Sequence, residues 1–255
     1  MPRQGSARTR WRHNARARHE HSWPRAGSAI YCLIGHSTNN RIATLDTRQQ
    51  IVLAAMHLFW EKGYGSTSVA DILKLADVNS GSLYHYFPGK QDVLVAVLET
   101  YRDGIGTMLL NPAWEGVADP IERIFRLLDR YRRGIVESDC TYGCPIGSLA
   151  LEIHEPDPVV RERLVENFTA WLDAIEGCLE AAAARLPDDT DRRELAQFVL
   201  TTMEGGVMLA RTYRNVGHFD ASVRQLRGLF DVLLKNPRTT ADNNRPQNLP
   251  IEVIQ

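Results

Sequence analysis

The sequence lacks the long apolar run that a membrane-spanning helix requires. The short run at residues 29–34 (AIYCLI) falls far below the roughly 20 residues that cross a bilayer and below the roughly 7 to 15 of a secretory signal. Cysteine is also scarce: four in 255 residues, too few to suggest a disulfide framework in a chain of this length. We therefore expect a cytoplasmic, soluble protein with reduced thiols and no membrane partner.

The short motifs of common enzymes and metal sites are missing as well. We find no phosphate-cradling glycine loop, no H-E-x-x-H and no G-x-S-x-G. Cys140 and Cys144 have no second Cys or His pair at the spacing that completes a tetrahedral zinc site. A hydrolase using Cys144 and His154 would need the two ends of one helix to meet. The sequence therefore predicts no enzyme, no metal and no cofactor.

Positive charge is concentrated at the N-terminus. Residues 1–43 hold eight arginines and one acid, so the net charge of −1 leaves −8 for the rest. This segment has no apolar periodicity, so burial cannot offset its ordering entropy, and we expect a disordered basic extension. Three interpretations stay open: an arm attracted to phosphates, an Arg-rich targeting segment, or a start codon placed too far upstream, which we favour. Residues 236–255 are polar and predict a disordered tail.

From Asp46 onward, apolar residues recur at helical spacing, and no stretch alternates long enough to indicate a strand. The fold class is therefore predicted to be all-α, with domains at residues 44–102 and 103–235. Capping, glycine and proline signals predict nine helices. The second is predicted to begin at residue 68, and the others span residues 47–62, 80–87, 90–109, 120–137, 145–153, 158–185, 190–215 and 220–235.

Residues 67–90 (TSVADILKLADVNSGSLYHYFPGK) have the pattern of a helix-turn-helix, in which the second helix lays its N-terminal residues into the major groove of DNA. That helix opens with short polar residues, which permit close approach and supply free amides. Leu83 and Phe87 are the expected core anchors. The exposed side would then carry three consecutive ring donors, Tyr84, His85 and Tyr86.

The run V-x-x-G-S-L-Y-x-Y-F-x-x-K-x-x-V-L at residues 78–94 resembles the signature of the TetR family, and the likeness extends over roughly residues 47–101. The resemblance implies an N-terminal three-helix helix-turn-helix domain followed by a C-terminal helical ligand-binding and dimerisation domain. It also implies a homodimer that represses transcription from a palindromic double-stranded DNA operator and is released by a small-molecule effector. The sequence departs from the family pattern at two positions. Asp77 stands in the turn where the family usually has glycine, although Asp tolerates left-handed geometry. Val69 stands where the family commonly has a residue with a hydroxyl group.

The same resemblance suggests which residues contact DNA. Ser80, Ser82 and His85 would face bases, beside Gly81; Tyr84 and Lys90 would hold phosphates; Ser68 and Tyr86 would be further backbone contacts. Residues 44–102 carry only five basic and six acidic side chains, so the affinity would depend on hydroxyls, amides and Lys90 more than on a basic surface.

In the C-terminal domain the effector cavity is not readable by motif. An apolar stripe that packs in the core would have the same sequence pattern as one that lines a cavity. The candidate lining residues are Cys144 and the apolar or aromatic residues Phe125, Leu128, Leu149, Phe168, Trp171 and Met203. Glu152, His154 and Glu204 could orient a polar group, with a solvated helix-end role preferred for His154.

The helix predicted over residues 190–215 offers a surface for the dimer. Gly205 and Gly206 would weaken this helix unless something packs closely there; close approach across the dimer or room for a ligand would explain them, and a contact within the chain is the alternative. The expected dimer residues are Leu195, Phe198, Val199, Thr202, Met203, Gly206, Val207 and Ala210.

The segment from Cys140 to Cys144 suggests an alternative sensor. The dipole at a helix N-terminus stabilises a thiolate, which would lower the pKa of Cys144. Cys140 could then resolve a sulfenic acid formed on Cys144. The chain would then be a repressor that responds to electrophiles or oxidants, unless Cys144 serves only in packing. A more remote alternative is a DNA-binding activator or adaptor without an effector, which a closed, fully packed C-terminal core would favour.

Overall fold

The computed structural model describes residues 46–235. The predicted basic extension at 1–43 and the predicted tail at 236–255 lie outside the described residues. Every regular element within 46–235 is helical, so the all-α prediction is confirmed.

The first four helices are α1 (Thr47–Lys62), α2 (Val69–Ala76), α3 (Ser80–Tyr86) and α4 (Lys90–Ile105). The Asp46 carboxylate caps α1 by accepting from Gln49 N at 2.8 Å, and α1 ends at Gly63, whose φ of 88° favours glycine. Ser68 and Asp71 form the expected capping box at α2. Asp77 adopts φ 55° and ψ 46°, so the turn keeps its left-handed geometry without glycine.

A π-helical turn over Gly106–Leu110 follows α4 and leads into the short α5 (Asn111–Trp114). The predicted fourth helix therefore leaves α-geometry four residues early. The larger helices are α6 (Pro120–Glu137), α7 (Pro145–Glu152), α8 (Pro158–Ala181), α9 (Arg192–Tyr213) and α10 (Gly217–Lys235), with a 3-10 turn at Ala183–Arg185 after α8. No helix in the described part of the chain is both long and apolar enough to cross a membrane.

Two apolar cores pack side by side. One joins α1 to α4 and takes in residues of α7 and α8; the other joins α6, α8, α9 and α10. The amide of Asn167, on α8, crosses between the halves and donates to the carbonyl of Leu98, on α4, at 2.9 Å in a buried position. A buried amide is stable only when it is hydrogen-bonded, so this contact fixes the register of α8 on α4.

The face of α9 predicted for the dimer is mostly covered within the chain. Of the eight expected residues, Phe198 is exposed and Thr202 is half-buried, while the other six are buried. A methyl group added at Gly206 would lie 3.1 Å from Phe219 Cδ2 on α10, so Gly206 allows close approach of two helices of the same chain. The dimer explanation for Gly206 was therefore wrong, because α10 occupies that face.

Candidate DNA-binding surface and ligand cavity

Helix α3 is held by its buried side and displays its opposite side. Leu83 is fully buried and Phe87 is 3% exposed, which confirms both as core anchors. Asn79 caps the helix by accepting from Ser82 N at 2.9 Å. Because α2 and α3 pack on α1 through the same core, the orientation of α3 on the domain is fixed.

The expected DNA-contact residues of α3 lie together on its outer side. Ser80, Gly81, Tyr84, His85 and Tyr86 are exposed, with Tyr84 as much as 56% exposed. The rings of His85 and Tyr86 meet edge to face at 4.8 Å. This surface presents hydroxyl, imidazole and peptide donors, which are the groups that recognise phosphates and base edges.

Two of the expected DNA contacts are engaged within the protein. The half-buried Ser82 directs its hydroxyl to Asn79 Oδ1 at 3.2 Å. The Ser68 hydroxyl donates to Asp71 Oδ2 at 2.7 Å and accepts from Asp71 N at 3.1 Å. Both side chains therefore stabilise helix starts. Either hydroxyl would redirect its O–H to contact a phosphate, or accept at a free lone pair from a donor on a base edge.

Lys90 is engaged more strongly than the sequence predicted. Its Nζ donates to the carbonyl of Tyr64 at 2.9 Å and to that of Thr67 at 3.0 Å, and it lies 4.2 Å from the centre of the Tyr64 ring. Its ammonium therefore ties the turn between α1 and α2 to the start of α4, a structural role that the sequence did not predict beside the expected phosphate contact.

Arg48 is a basic residue near α3 that was not predicted from the sequence as a DNA contact. Its guanidinium carbon lies 5.3 Å from the centre of the Phe87 ring, so an exposed positive charge from the first turn of α1 sits beside the end of α3. No local motif marks this residue, because its proximity to α3 arises only when α1 and α3 pack together.

The C-terminal half contains a partly open cavity of about 190 Å³ among α4, α6, α8 and α9. Three of the seven residues proposed from the sequence line it: Cys144, Phe168 and Trp171. Lining residues not predicted from the sequence include Trp60, Tyr101, Tyr131, Tyr142 and Asn167. Glu204, which was predicted from the sequence as a residue that could orient a polar group, also lines the cavity.

The other four proposed lining residues belong to the cores, which corrects those assignments. Phe125, Leu128 and Met203 are buried in the core of the C-terminal half, and the Phe125 ring packs edge to face on Phe230 at 5.4 Å. Leu149 belongs to the other core, with α1 to α4. An apolar stripe looks the same from sequence whether it faces a cavity or a neighbouring helix, and here the neighbouring helices cover it.

Cys144 has the opposite character to that of a reactive thiol. It caps α7 as expected, accepting at Sγ from Gly147 N at 3.4 Å. Burial nevertheless raises the pKa of this thiol well above its ordinary value, and the charge of Glu204 raises it further against the opposing Gly147 N–H. The predicted low pKa was therefore wrong: a single helix terminus does not compensate for burial beside a carboxylate, and the cysteine-sensor alternative is unsupported.

Helix α7 connects the cavity to the DNA-binding half. Gly143, just before α7, accepts from Trp60 Nε1 at 2.9 Å. At its far end, the carboxylate of Glu152 accepts from Tyr64 N at 2.8 Å and from Gly65 N at 2.6 Å. Glu152 thus orients a protein turn and not a ligand, while His154 is exposed. No cluster of three or more His, Cys, Asp or Glu side chains that could hold a metal occurs within residues 46–235.

Both halves of the chain match family models of known proteins. Residues 51–97 match the family model of bacterial regulatory proteins of the tetR family, and residues 120–225 match that of the C-terminal domain of LmrA/YxaF-like transcriptional regulators. An uncharacterized HTH-type transcriptional regulator of Mycobacterium tuberculosis is 31% identical over 189 residues, covering 72% of this chain and 93% of that protein.

Two further relatives agree. The HTH-type transcriptional repressor DhaR of Mycobacterium sp. (strain GP1) is 25% identical over 207 residues, covering 80% of this chain and all of DhaR. The crystal structure of the regulatory protein TetR from Rhodobacter sphaeroides is 27% identical with a TM-score of 0.63, covering 70% of this chain and 95% of that one. With an N-terminal helix-turn-helix, a C-terminal helical domain and these matches, the chain belongs to the TetR family of transcriptional regulators and is a DNA-binding protein, not an enzyme.

Proposed function

We propose that this protein is a transcriptional repressor that binds a palindromic double-stranded operator as a homodimer and leaves it when a small molecule occupies the cavity. The observation that carries this proposal is the exposed donor surface of α3, fixed from behind by Leu83 and Phe87. Repression as the direction of control is supported by the likeness to DhaR, which is named a repressor. Bacterial DNA is cytoplasmic, so the protein would act there.

The DNA contacts follow from exposure and chemistry. We propose that Ser80, Ser82 and His85 face base edges and that Gly81 lets the backbone approach the duplex. Tyr84, Tyr86 and Ser68 would hold phosphates. A lysine ammonium has three donors, and Lys90 uses two of them on carbonyls, so its third N–H and its charge would serve a phosphate. Arg48 would supply another basic contact.

Substitution of His85 tests the base-reading role. The probe is a fragment selected by the purified protein from a random double-stranded library, compared with shuffled DNA by fluorescence anisotropy at fixed salt. A base contact contributes about 1–3 kcal/mol of discrimination, so His85→Ala should reduce the preference for the selected fragment about 5- to 150-fold. Tyr84→Ala should weaken both probes alike.

The control is His154→Ala, since His154 is also an exposed histidine but lies after α7; it should bind both probes like the wild type. An equal loss on both probes for His85→Ala would remove His85 from the base-reading set. If selection yields no preferred sequence at all, the operator-binding function itself is refuted.

A stripe on α9 is the proposed dimer surface. Exposed residues recur there at roughly three- and four-residue spacing, and they include Phe198 at 49% and Met208 at 49% exposure. Gly205 lies on the same side with nothing within 4 Å of a built Cβ, which leaves room for a second helix. The stripe consists of Phe198, Thr201, Gly205, Met208, Leu209 and Thr212.

Charge placed on this stripe should separate the protomers. A single α3 reaches about one half-site, so operator binding requires two copies. Phe198→Glu should shift sedimentation to the monomer and reduce operator affinity. Val159→Glu, at a 46%-exposed position on α8, is the matched control and should remain dimeric. A dimer that persists in Phe198→Glu places the interface elsewhere.

Helix α7 is the proposed link between the cavity and α3. Its first residues line the cavity, and Glu152 at its end holds the turn that precedes α2. A ligand that shifts α7 would therefore move the DNA-binding half, as long as it binds the two arrangements with different affinity. The existence of a cavity favours this gating over the effector-independent alternative, which would need a closed core.

The link is tested through Glu152. Glu152→Ala should weaken operator binding because the turn loses two acceptors while the DNA-contact surface is unchanged. Glu155→Ala is the control, since Glu155 is exposed and its contact with Arg161 is a loose 3.9 Å pair. Equal operator affinities for the two variants would show that the contact at the end of α7 does not position α3.

A further inference from the structure

Three buried polar atoms on the cavity wall have no hydrogen-bond partner within the described residues: Tyr101 Oη, Trp171 Nε1 and Glu204 Oε1. Trp171 is 4% exposed and Tyr101 9% exposed, so solvent does not readily satisfy them. Unpartnered buried polar atoms are uncommon and unfavourable in native proteins. Three on one wall indicate a site whose hydrogen bonds are completed by something that enters it.

Two of these groups, Trp171 Nε1 and Glu204 Oε1, lie near the Tyr131 hydroxyl on the cavity wall. That hydroxyl lies 4.0 Å from Cys144 Sγ. Burial raises the pKa of Tyr131, and the nearby Cys144 and Glu204 raise it further, while the Trp171 N–H opposes this from a position outside the geometry of an ordinary hydrogen bond. One end of the cavity therefore presents an indole donor, a phenol and a carboxylate to any ligand group placed there.

Glu204 sets the sign of charge at this end. Burial raises the pKa of its carboxyl, and the hydrogen bond with the Cys144 thiol opposes this. A carboxylate on a ligand placed beside Glu204 would bring two like-charged groups together. An ammonium on a ligand would place its N–H donors against the Trp171 N–H, which is also a donor, and its positive charge in a cavity whose wall includes the Arg130 guanidinium. A hydroxyl avoids both conflicts, because it donates to Glu204 and accepts from Trp171.

The size and the remaining walls define the rest of the ligand. A dry cavity of about 150 Å³ holds benzene, so about 190 Å³ suits one substituted ring. Away from the polar end the walls are largely apolar, which favours a ligand body without further charge. These walls include Ile105, Leu109, Ile135, Phe168 and Leu200.

We propose that the cavity takes a neutral molecule of about one substituted ring whose hydroxyl lies between Glu204 and Trp171. As an effector assignment this rests on the proposed function, whereas as a binding site it stands on the cavity alone. The ring occupies the apolar walls, and the hydroxyl supplies the partners that Glu204 Oε1 and Trp171 Nε1 lack.

The test is calorimetric titration of the full chain with four ligands of similar shape: benzyl alcohol, ethylbenzene, benzylammonium and benzoate. We expect benzyl alcohol to bind at least about tenfold more tightly than each of the others, because a site built for a hydroxyl is left with unpaired groups by the hydrocarbon. Equal binding of ethylbenzene, tightest binding of either ion, or no binding of the alcohol up to its solubility would each overturn the proposal.

Two variants locate the hydroxyl. Trp171→Phe removes the N–H and keeps a ring, and Glu204→Gln removes the charge; each should weaken benzyl alcohol roughly 3- to 30-fold and leave ethylbenzene within about twofold. Trp114→Phe is the control, since that indole donates to the Arg123 carbonyl away from the cavity. Loss of both ligands alike in Trp171→Phe would indicate a packing role only and would refute the hydroxyl contact.

Operator release separates this proposal from the proposed function. Selective binding of the alcohol with DNA still bound would preserve the cavity assignment and refute ligand-controlled release. Release by benzoate or by ethylbenzene in preference to the alcohol would support ligand control and refute the ligand class.

Discussion

Gly143→Ala should destabilise the protein by overpacking the contact between the segment before α7 and helix α9. Gly143 precedes α7, and a methyl group built on it would lie 2.5 Å from Val207 Cγ1 and 2.9 Å from Arg211 Cδ, whereas carbon atoms pack at about 3.5–4.0 Å. Val207 is 3% exposed and β-branched, so it cannot rotate away easily. Overpacking of this kind costs about 1–3 kcal/mol.

The assay is thermal and urea unfolding at fixed protomer concentration, because a dimer would make the midpoint depend on concentration. For a protein of this size, a loss of about 1–3 kcal/mol lowers the melting temperature by roughly 2–12 °C. Gly177→Ala is the matched control: Gly177 lies inside α8 with nothing within 4 Å of a built Cβ. That variant should gain about 0.5–1 kcal/mol from helix propensity.

The double variant with Val207→Ala identifies the contact responsible. Val207→Ala alone leaves a cavity and is destabilising, yet it also removes the atom that the methyl group added at Gly143 would meet. The double variant should therefore lose about 1–3 kcal/mol less than the two single losses together. Wild-type unfolding of Gly143→Ala, or simple additivity of the two single losses, would refute the overpacking of Val207.

Three further predictions concern Glu204, Cys144 and Lys90. Burial raises the pKa of Glu204, so the folded state holds more protons than the unfolded state, and this contribution to wild-type stability falls as pH rises above about 4.5 through the folded pKa. Glu204→Gln should thus be the more stable at neutral pH and lose that advantage below about 4.5, as measured by urea unfolding across pH; a pH-independent difference would contradict this. Cys144, 5% exposed with a raised pKa, should react with iodoacetamide at least about tenfold more slowly folded than unfolded, and equal rates by peptide mass spectrometry would show an open thiol. Lys90→Ala should lower the unfolding free energy by about 1.5–3 kcal/mol, because two carbonyls lose a charged donor; the exposed Lys74→Ala should change it little, and similar losses in both would argue against the Lys90 contacts.

The turn between α1 and α2 is held by charged side chains from two other helices. The turn between α1 and α2 receives Lys90 on its carbonyls and Glu152 on its amides. The same turn therefore depends on α4 and α7 together. A change at α7 would be transmitted to α2 and α3 through charge-assisted hydrogen bonds, which are stronger than neutral ones.

The sequence alone determined where most of the helices begin and which residues anchor α3. Capping residues such as Asp46 and Ser68 act within three or four positions of themselves, and periodicity identifies one apolar side of a helix, as at Leu83 and Phe87. The candidate DNA-contact residues could likewise be named because they lie in one continuous segment whose pattern resembles that of a family.

The tertiary structure decided what covers each apolar side and what each polar group meets. Phe125, Leu128, Leu149 and Met203 have the composition of cavity walls but face neighbouring helices. The pKa of Cys144 depends on Glu204, sixty positions away in the sequence. Burial and electrostatic interactions depend on distance in space, so no local pattern could predict a contact that exists only after α7 packs on α9.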